Sequence, residues 1–252
     1  MAYSHSKSPS HRHFGPQGDG SAAASVLAAV AVPYITGTPA DDWIYGTNGP
    51  EIILGLGGND NLFGQGGDDE LFGGDGTDNL YLGDGADTGY GGMSNDAISG
   101  GNGNDVLHGE PGRDQLFGDE GNDTLWGGTG NDILKGGKGA DVLLGGEGAD
   151  YFAFLDYDQG GIAPGARDLI VDFQVGLDKI DLGGIDADTI HSGNNVFRLS
   201  QTTQHDGAPG SVRVVVYEGN TYVMADRDGD KISDLAIQLE GIYQLTAADF
   251  IL

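Results

Sequence analysis

The 252-residue chain contains no cysteine, which excludes disulfides, thiolate metal sites and cysteine nucleophiles and leaves the compartment open. Cations are nearly as scarce. Eleven Lys and Arg face 39 Asp and Glu, the net charge is −28, and no Lys or Arg occurs between Arg12 and Arg113. Such a surface disfavours nucleic acid and anionic membranes as partners. The longest apolar stretch, Ser21 to Val32, is too short to cross a bilayer, so no transmembrane segment is expected. Catalytic motifs are missing too. The histidines, His5, His11, His13, His108, His191 and His205, form no HExxH, and there is neither a G-x-S-x-G elbow nor a phosphate-binding G-K-[ST] loop.

What is abundant is Gly, at 48 residues, and Asp, which supplies 32 of the 39 acids. Gly and Pro together reach only about 22%, below the roughly 25–30% of aperiodic disordered chains. A dense array of carboxylates repels itself unless a cation sits within it. Asp carried by Gly points to a hard divalent metal with oxygen ligands, calcium foremost.

A nine-residue period organises these residues. From Gly37 to Ala153 the chain reads as 13 uninterrupted units, beginning GTPADDWIY, GTNGPEIIL, GLGGNDNLF and ending GGEGADYFA. Position 1 is Gly except at Leu82, position 6 is Asp except at Glu51, and position 8 is Ile, Leu or Phe except at Gly89. Each unit therefore divides into a six-residue Gly/Asp loop and a three-residue strand whose middle side chain turns inward. No unit can fold alone, so the units must stack as a solenoid around the thin column from Ile44 to Phe152.

The pattern GGxGxDxUx resembles the nonapeptide of RTX proteins. That resemblance implies an all-β fold, a parallel β-roll with two units per turn, roughly 30 Å long for 13 units. It also implies calcium shared between units n and n+2, at most about 11 ions. The ligand positions carried over are Asp42, Gly58, Asp60, Gly67, Asp69, Gly74, Gly76, Asp78, Gly83, Gly85, Asp87, Gly92, Asp96, Gly101, Gly103, Asp105, Gly112, Asp114, Gly121, Asp123, Gly128, Gly130, Asp132, Gly137, Gly139, Asp141, Gly146, Gly148 and Asp150. The first two units depart from the motif through Pro39, Ala40, Pro50 and Glu51.

Beyond Ala153 the period gives way to ordinary strand patterns at 168–173, 179–182, 212–217, 221–225 and 235–239, with a tight turn at Glu218-Gly219-Asn220 and a helical turn near Thr246. This layout resembles the C-terminal domain of serralysin-type proteases and the R-modules of mannuronan epimerases. The expected domains are a tail and short capping segment over 1–36, the roll over 37–153, and a small antiparallel sheet covering its open end over 154–252. The terminal Asp249-Phe250-Ile251-Leu252 resembles the C-terminal signature of serralysin-type substrates of the type I secretion apparatus. A secreted, extracellular protein that folds on calcium is the corresponding expectation, with no enzymatic activity and no catalytic residue.

Two further features stay open at the level of sequence. Asp226, Asp228, Asp230 and Asp234 form an acidic loop that reads either as a plain hairpin loop or as a further cation site. Position 9 places Tyr45, Phe63, Tyr81 and Phe117 on one outer face and Phe72, Tyr90 and Trp126 on the other. These rings either support neighbouring rungs or, at Phe72, Tyr90 and Trp126, form a platform for a polysaccharide or cell surface. The second reading makes the chain a calcium-dependent carbohydrate-binding or enzyme-supporting module.

Overall fold

The computed structural model describes residues 32–155, 162–163, 165–187, 196–200, 204 and 207–252. Of the tail and capping segment expected over residues 1–36, residues 1–31 lie outside the described residues. Within them the chain is all-β, with no α-helix.

The repeats form β1 (Tyr34–Thr36), β2 (Trp43–Tyr45), β3 (Ile52–Gly57), β4 (Asn61–Gly66), β5 (Glu70–Asp75), β6 (Asn79–Asp84), β7 (Thr88–Met93), β8 (Ala97–Asn102), β9 (Val106–Pro111), β10 (Gln115–Glu120), β11 (Thr124–Thr129), β12 (Ile133–Lys138), β13 (Val142–Glu147) and β14 (Tyr151–Leu155). Odd strands stack in parallel as one sheet and even strands as the other. Residues 18 apart face each other, Leu71 opposite Ile53 and Leu80 opposite Leu62. Two nonapeptides therefore make one turn.

Most strands are six residues long rather than three. Pairing covers positions 7 to 9 and resumes at positions 2 and 3 of the next unit, as in Glu70, Leu71 and Phe72 followed by Gly74 and Asp75. Position 1 is passed over, for a reason that lies in the carboxylate column described below. The position-8 side chains from Ile53 to Phe152 are buried, almost all with no solvent exposure, and form the core between the sheets. Each contributes about 1.5–3 kcal/mol of apolar burial.

One unit, Leu82 to Tyr90, breaks the pattern twice, and the two breaks compensate. Gly89 leaves the core column empty at its rung, and Leu82, standing where every other unit has Gly, is fully buried. A Cβ on Gly89 would lie 3.1 Å from Leu82 Cδ1 and 3.1 Å from Ile98 Cγ2, so the Leu82 side chain occupies the space that position 8 vacates.

The ladder continues past the last nonapeptide. β15 (Leu169–Ile170) pairs in parallel with β13, and β16 (Lys179–Gly184) pairs in parallel with β14. After β17 (Arg198–Leu199) come β18 (Ser211–Tyr217), β19 (Asn220–Asp226) and β20 (Leu235–Leu239), an antiparallel meander joined to the roll where β20 pairs in parallel with β15. Glu218 and Gly219, at φ 49° and 84°, make the tight turn between β18 and β19. Thr246 caps a single 3₁₀ turn at Ala247–Asp249, and β21 (Phe250–Ile251) then pairs in parallel with β16. The expected small antiparallel sheet is present, but the C-terminal region meets the roll through four parallel strands, β15, β16, β20 and β21. The terminal residues are thus a structural rung, with Phe250 buried at the end of the core.

Candidate metal centre

Position 6 immediately precedes each strand and delivers its carboxylate to the inside of the loop. The position-6 Asp residues from Asp60 to Asp150 are all buried. They are linked in two files, one on each side of the roll. On one side the amide of Asp60 donates to Asp78 Oδ1 at 2.7 Å, Asp78 to Asp96 at 2.8 Å, Asp96 to Asp114 at 2.8 Å, Asp114 to Asp132 at 2.8 Å and Asp132 to Asp150 at 2.9 Å. On the other, Asp69 donates to Asp87, Asp87 to Asp105, Asp105 to Asp123 and Asp123 to Asp141, at 2.7–2.9 Å. One oxygen of every carboxylate thus ties the rung to its neighbour, which a shorter or uncharged side chain of different shape would not do.

The second oxygen is left over. Oδ2 of Asp60, Asp69, Asp78, Asp87, Asp96, Asp105, Asp114, Asp123, Asp132 and Asp150 is buried and accepts no hydrogen bond. Such an atom costs about 1–3 kcal/mol when neutral and more when charged, so a file of them is an incomplete structure without a cation. These oxygens point at position 1 of their own unit. A Cβ there would stand 2.4 Å from Asp60 Oδ2 at Gly55 and 2.4 Å from Asp78 Oδ2 at Gly73, which is why position 1 is Gly and why the pairing register skips it.

Position 4 is Gly for a different reason. A Cβ on Gly103, Gly121, Gly130 or Gly148 would lie 1.4 Å from the position-4 carbonyl oxygen two units earlier, and these residues have φ of 143–150°. Backbone oxygens therefore aim along the stack from loop to loop, on the Oδ1 side of the carboxylates, while Oδ2 lies toward position 1. Position 2 shares the left-handed backbone but tolerates side chains, since Leu56, Gln65, Glu110 and Asp119 adopt φ of 69–79° there. The carboxylates and loop carbonyls offer oxygen donors alone, which suit calcium and offer nothing to a soft metal.

Burial raises the pKa values of these carboxyls well above the ordinary carboxylate range. Desolvation is the main cause, with repulsion from neighbouring carboxylates added and the backbone hydrogen bond opposing. Asp78 and Asp150 are raised to about 6, Asp69, Asp96, Asp105 and Asp123 to about 7, and Asp114 to about 8.

Both ends of the file are closed by protein groups. In the first unit Asp42 Oδ2 accepts from the Thr38 amide at 2.6 Å and hydroxyl at 2.8 Å, and in the second Glu51 accepts from the Thr47 amide at 3.0 Å and from its hydroxyl. Thr at position 2 does in these units what a cation would do in the others. At the far end Asp168 and Asp178 extend the two files, accepting from the amides of Asp141 and Asp150. Asp178 Oδ2 is taken by the Gln174 amide at 2.8 Å, Asp172 accepts from the amides of Gly145 and Gly146 at 2.9 Å each, and the Gln174 side chain donates to the Gly146 carbonyl at 2.6 Å. The sequence reading did not single out Asp168 and Asp178. Their signal was present in Asp168-Leu169-Ile170 and Asp178-Lys179-Ile180, which repeat positions 6 to 8 without the glycines.

In the acidic loop after β19, oxygens of Asp226, Asp228 and Asp234 approach within 4.8 Å of one another, while Asp230 stands apart. Backbone amides engage the carboxylates: Gly229 and Lys231 donate to Asp226, Arg227 to Asp234 and Asp230 to Asp228. The loop closes on itself through these bonds.

The outer rings stack on one another. Phe72 and Tyr90 lie 4.8 Å apart between centroids, Tyr90 and His108 4.7 Å, and His108 and Trp126 4.3 Å, so the faces of Tyr90 are covered on both sides and Phe72 and Trp126 close a continuous run. His108, desolvated between two rings, has a lowered pKa. On the other face Tyr45, Phe63 and Tyr81 stack at 4.7 and 5.0 Å.

The RTX calcium-binding nonapeptide repeat matches four times, at residues 34–60, 54–89, 90–125 and 117–152. Similar solved structures include the AlgE6R3 subunit of the Azotobacter vinelandii mannuronan C5-epimerase, 20% identical over 85% of this chain and 80% of that one with a TM-score of 0.26. The AlgE6R2 subunit of the same epimerase is 23% identical over 89% and 95%, with a TM-score of 0.28. The extracellular lipase LipA from Serratia marcescens is 18% identical over 87% of this chain and 42% of that one, with a TM-score of 0.39. Among curated proteins, none matches the chain. With 13 units in register, a buried Asp in eleven of their loops and the match across residues 34–152, the chain belongs over that length to the RTX calcium-binding nonapeptide repeat family.

Proposed function

We propose that the protein is a secreted, non-catalytic calcium-binding module whose roll, residues 37–153, folds when calcium fills the two carboxylate files, with residues 154–252 as its cap. The observation that carries this reading is the row of buried Oδ2 atoms on the position-6 carboxylates from Asp60 to Asp132 and on Asp150, which accept no hydrogen bond. Calcium would be held by these oxygens and by position-2 and position-4 carbonyls of neighbouring loops, and it would supply the charge that offsets the acid column. Because Asp42 and Glu51 are already satisfied by Thr38 and Thr47, the occupied loops run from the third unit to the thirteenth, giving about nine ions between units two apart. Nine ions would bring the charge from −28 to about −10.

Metal binding of this kind is folding free energy, since the unfolded chain has no preformed site. Extracellular calcium modules bind at about 10⁻⁴ to 10⁻³ M. In a low-calcium cytosol the chain stays unfolded and competent for a type I secretion apparatus, and it folds outside. Asp249 to Leu252 then leave their role as an export signature to become the last rung.

The test is a calcium titration of chelator-treated protein followed by far-ultraviolet circular dichroism and calorimetry, with magnesium as control. Cooperative gain of β signal near millimolar calcium, absent with magnesium and with a stoichiometry near nine, is expected. A chain already folded in chelator at pH 8 would overturn the reading.

A further inference from the structure

The aromatic file on the even-strand face is interrupted once. Position 9 carries Tyr45, Phe63, Tyr81, Ser99, Phe117 and Lys135 in order, with Tyr81 opposite Ser99 and Ser99 opposite Phe117 in the ladder. Where a ring belongs, Ser99 presents a hydroxyl, and the neighbouring position-7 residue is the small Ala97. The result is a cavity of about 110 Å³ walled by Tyr81 and Phe117 and floored by Ala97 and Ser99. A single water takes up about 30 Å³, so the space is that of a larger group.

The walls are two ladder steps apart, roughly 9.6 Å from the strand spacing. A flat group inserted midway meets each ring at the same separation that Tyr45 and Phe63 keep within the file, 4.7 Å between centroids. The far face of each wall is already engaged: Phe63 stacks on Tyr81, and the Lys135 ammonium sits 5.9 Å from the Phe117 centroid. Phe117 thus holds a cation on one face and turns the other to the cavity. At the rim the exposed Asp119 carboxylate accepts from the Ser99 hydroxyl at 2.6 Å and keeps its remaining acceptor capacity for a ligand. The opposite face has no equivalent gap, because His108 fills the corresponding rung between Tyr90 and Trp126.

We propose that this slot receives a planar cation, the guanidinium of an arginine carried by a basic partner protein. Two ring faces supply cation–π attraction, Asp119 supplies a carboxylate for the guanidinium N–H groups, and the acidic surface draws a basic partner toward the roll. A neutral ring would gain the stacking but leave Asp119 without a counter-charge. An anionic group would meet repulsion from the whole molecule.

The experiment titrates the calcium-saturated full chain with N-acetyl-arginine amide while following the Tyr81 ring and Ser99 amide by NMR. Three further probes run in parallel: N-acetyl-citrulline amide, flat and neutral; N-acetyl-tyrosine amide; and methyl glucoside. A saturable shift confined to the slot, about tenfold weaker for citrulline, is expected. Asp119→Asn, which keeps the backbone carbonyl and removes the side-chain charge, should weaken arginine binding in protein shown to be folded by its dichroism spectrum. Ser99→Phe, which completes the file, should abolish binding and raise the melting temperature, so loss of binding cannot be loss of fold. Equal affinity for citrulline, tighter binding of tyrosine amide or the glucoside, or no saturable shift in the folded protein would each overturn the proposal. Calcium loading is verified separately by calorimetry, so failure here leaves the calcium reading intact.

Discussion

Asp114→Asn separates the two duties of the carboxylate column, because the variant keeps the tie and removes the charge. In the native chain Asp114 Oδ1 accepts from the Asp96 amide and the Asp114 amide donates to Asp132. An asparagine retains both bonds. Without calcium, burial and neighbouring carboxylates hold the Asp114 acid at about 8 instead of 3.8, so at pH 8 the folded state bears a cost of at most about 6 kcal/mol for this group. The amide nitrogen that replaces Oδ2 would be left with unpaired protons, costing about 1–3 kcal/mol. The variant is therefore expected to be more stable than the native chain in chelator, by roughly 3 kcal/mol. With saturating calcium the sign reverses, since removing one partner of a buried charge interaction costs about 3–5 kcal/mol. The assay is urea unfolding at pH 8 in chelator and in millimolar calcium, with an osmolyte added equally to both proteins so that the chelated chains fold measurably. Equal destabilisation of the variant under both conditions would refute the reasoning, because it would make Asp114 a hydrogen-bonding strut and nothing more.

The raised acids also set the pH response. Their stabilising contribution is fully present below the unfolded value near 3.8 and is lost as pH rises through folded values of about 6 to 8, so chelated protein should gain β signal between pH 8 and pH 5, and calcium binding should release protons across that window. A pH-independent dichroism spectrum in chelator would contradict this. Leu82→Gly alone should cost about 2–5 kcal/mol by opening a cavity and Gly89→Leu alone about 1–3 kcal/mol by overpacking, whereas the double variant should recover most of the loss; additive losses in calcium-saturated urea melts would sink the compensation argument. Phe250→Ala should destabilise the calcium-loaded chain by about 3 kcal/mol, read as a lowered urea midpoint, because Phe250 closes the core at β21; an unchanged midpoint would mean the terminal rung is dispensable.

Much of this molecule was written in its period. Nine residues with Gly at position 1, Asp at position 6 and an aliphatic at position 8 dictate loop, strand and inward column, and repetition leaves stacking as the sole way to bury that column. The oxygen-donor chemistry followed from the same letters, because Asp and Gly in register have few other uses. Three-dimensional structure decided the rest. That Oδ1 ties neighbouring rungs while Oδ2 is left over depends on which oxygen meets an amide 18 residues away, which no local pattern encodes. That Thr38 and Thr47 close one end of the file, and Asp172 and Gln174 the other, depends on side chains filling places that a next loop would otherwise take. Leu82 and Gly89 look like two defects in a line of text and become one packed rung only when their side chains share the same space. Likewise Ser99 is one polar letter among aromatics until stacking turns its missing ring into a slot. Sequence fixes what repeats, since identical units must pack identically; contacts between non-identical units belong to the fold, because only there do distant exceptions meet.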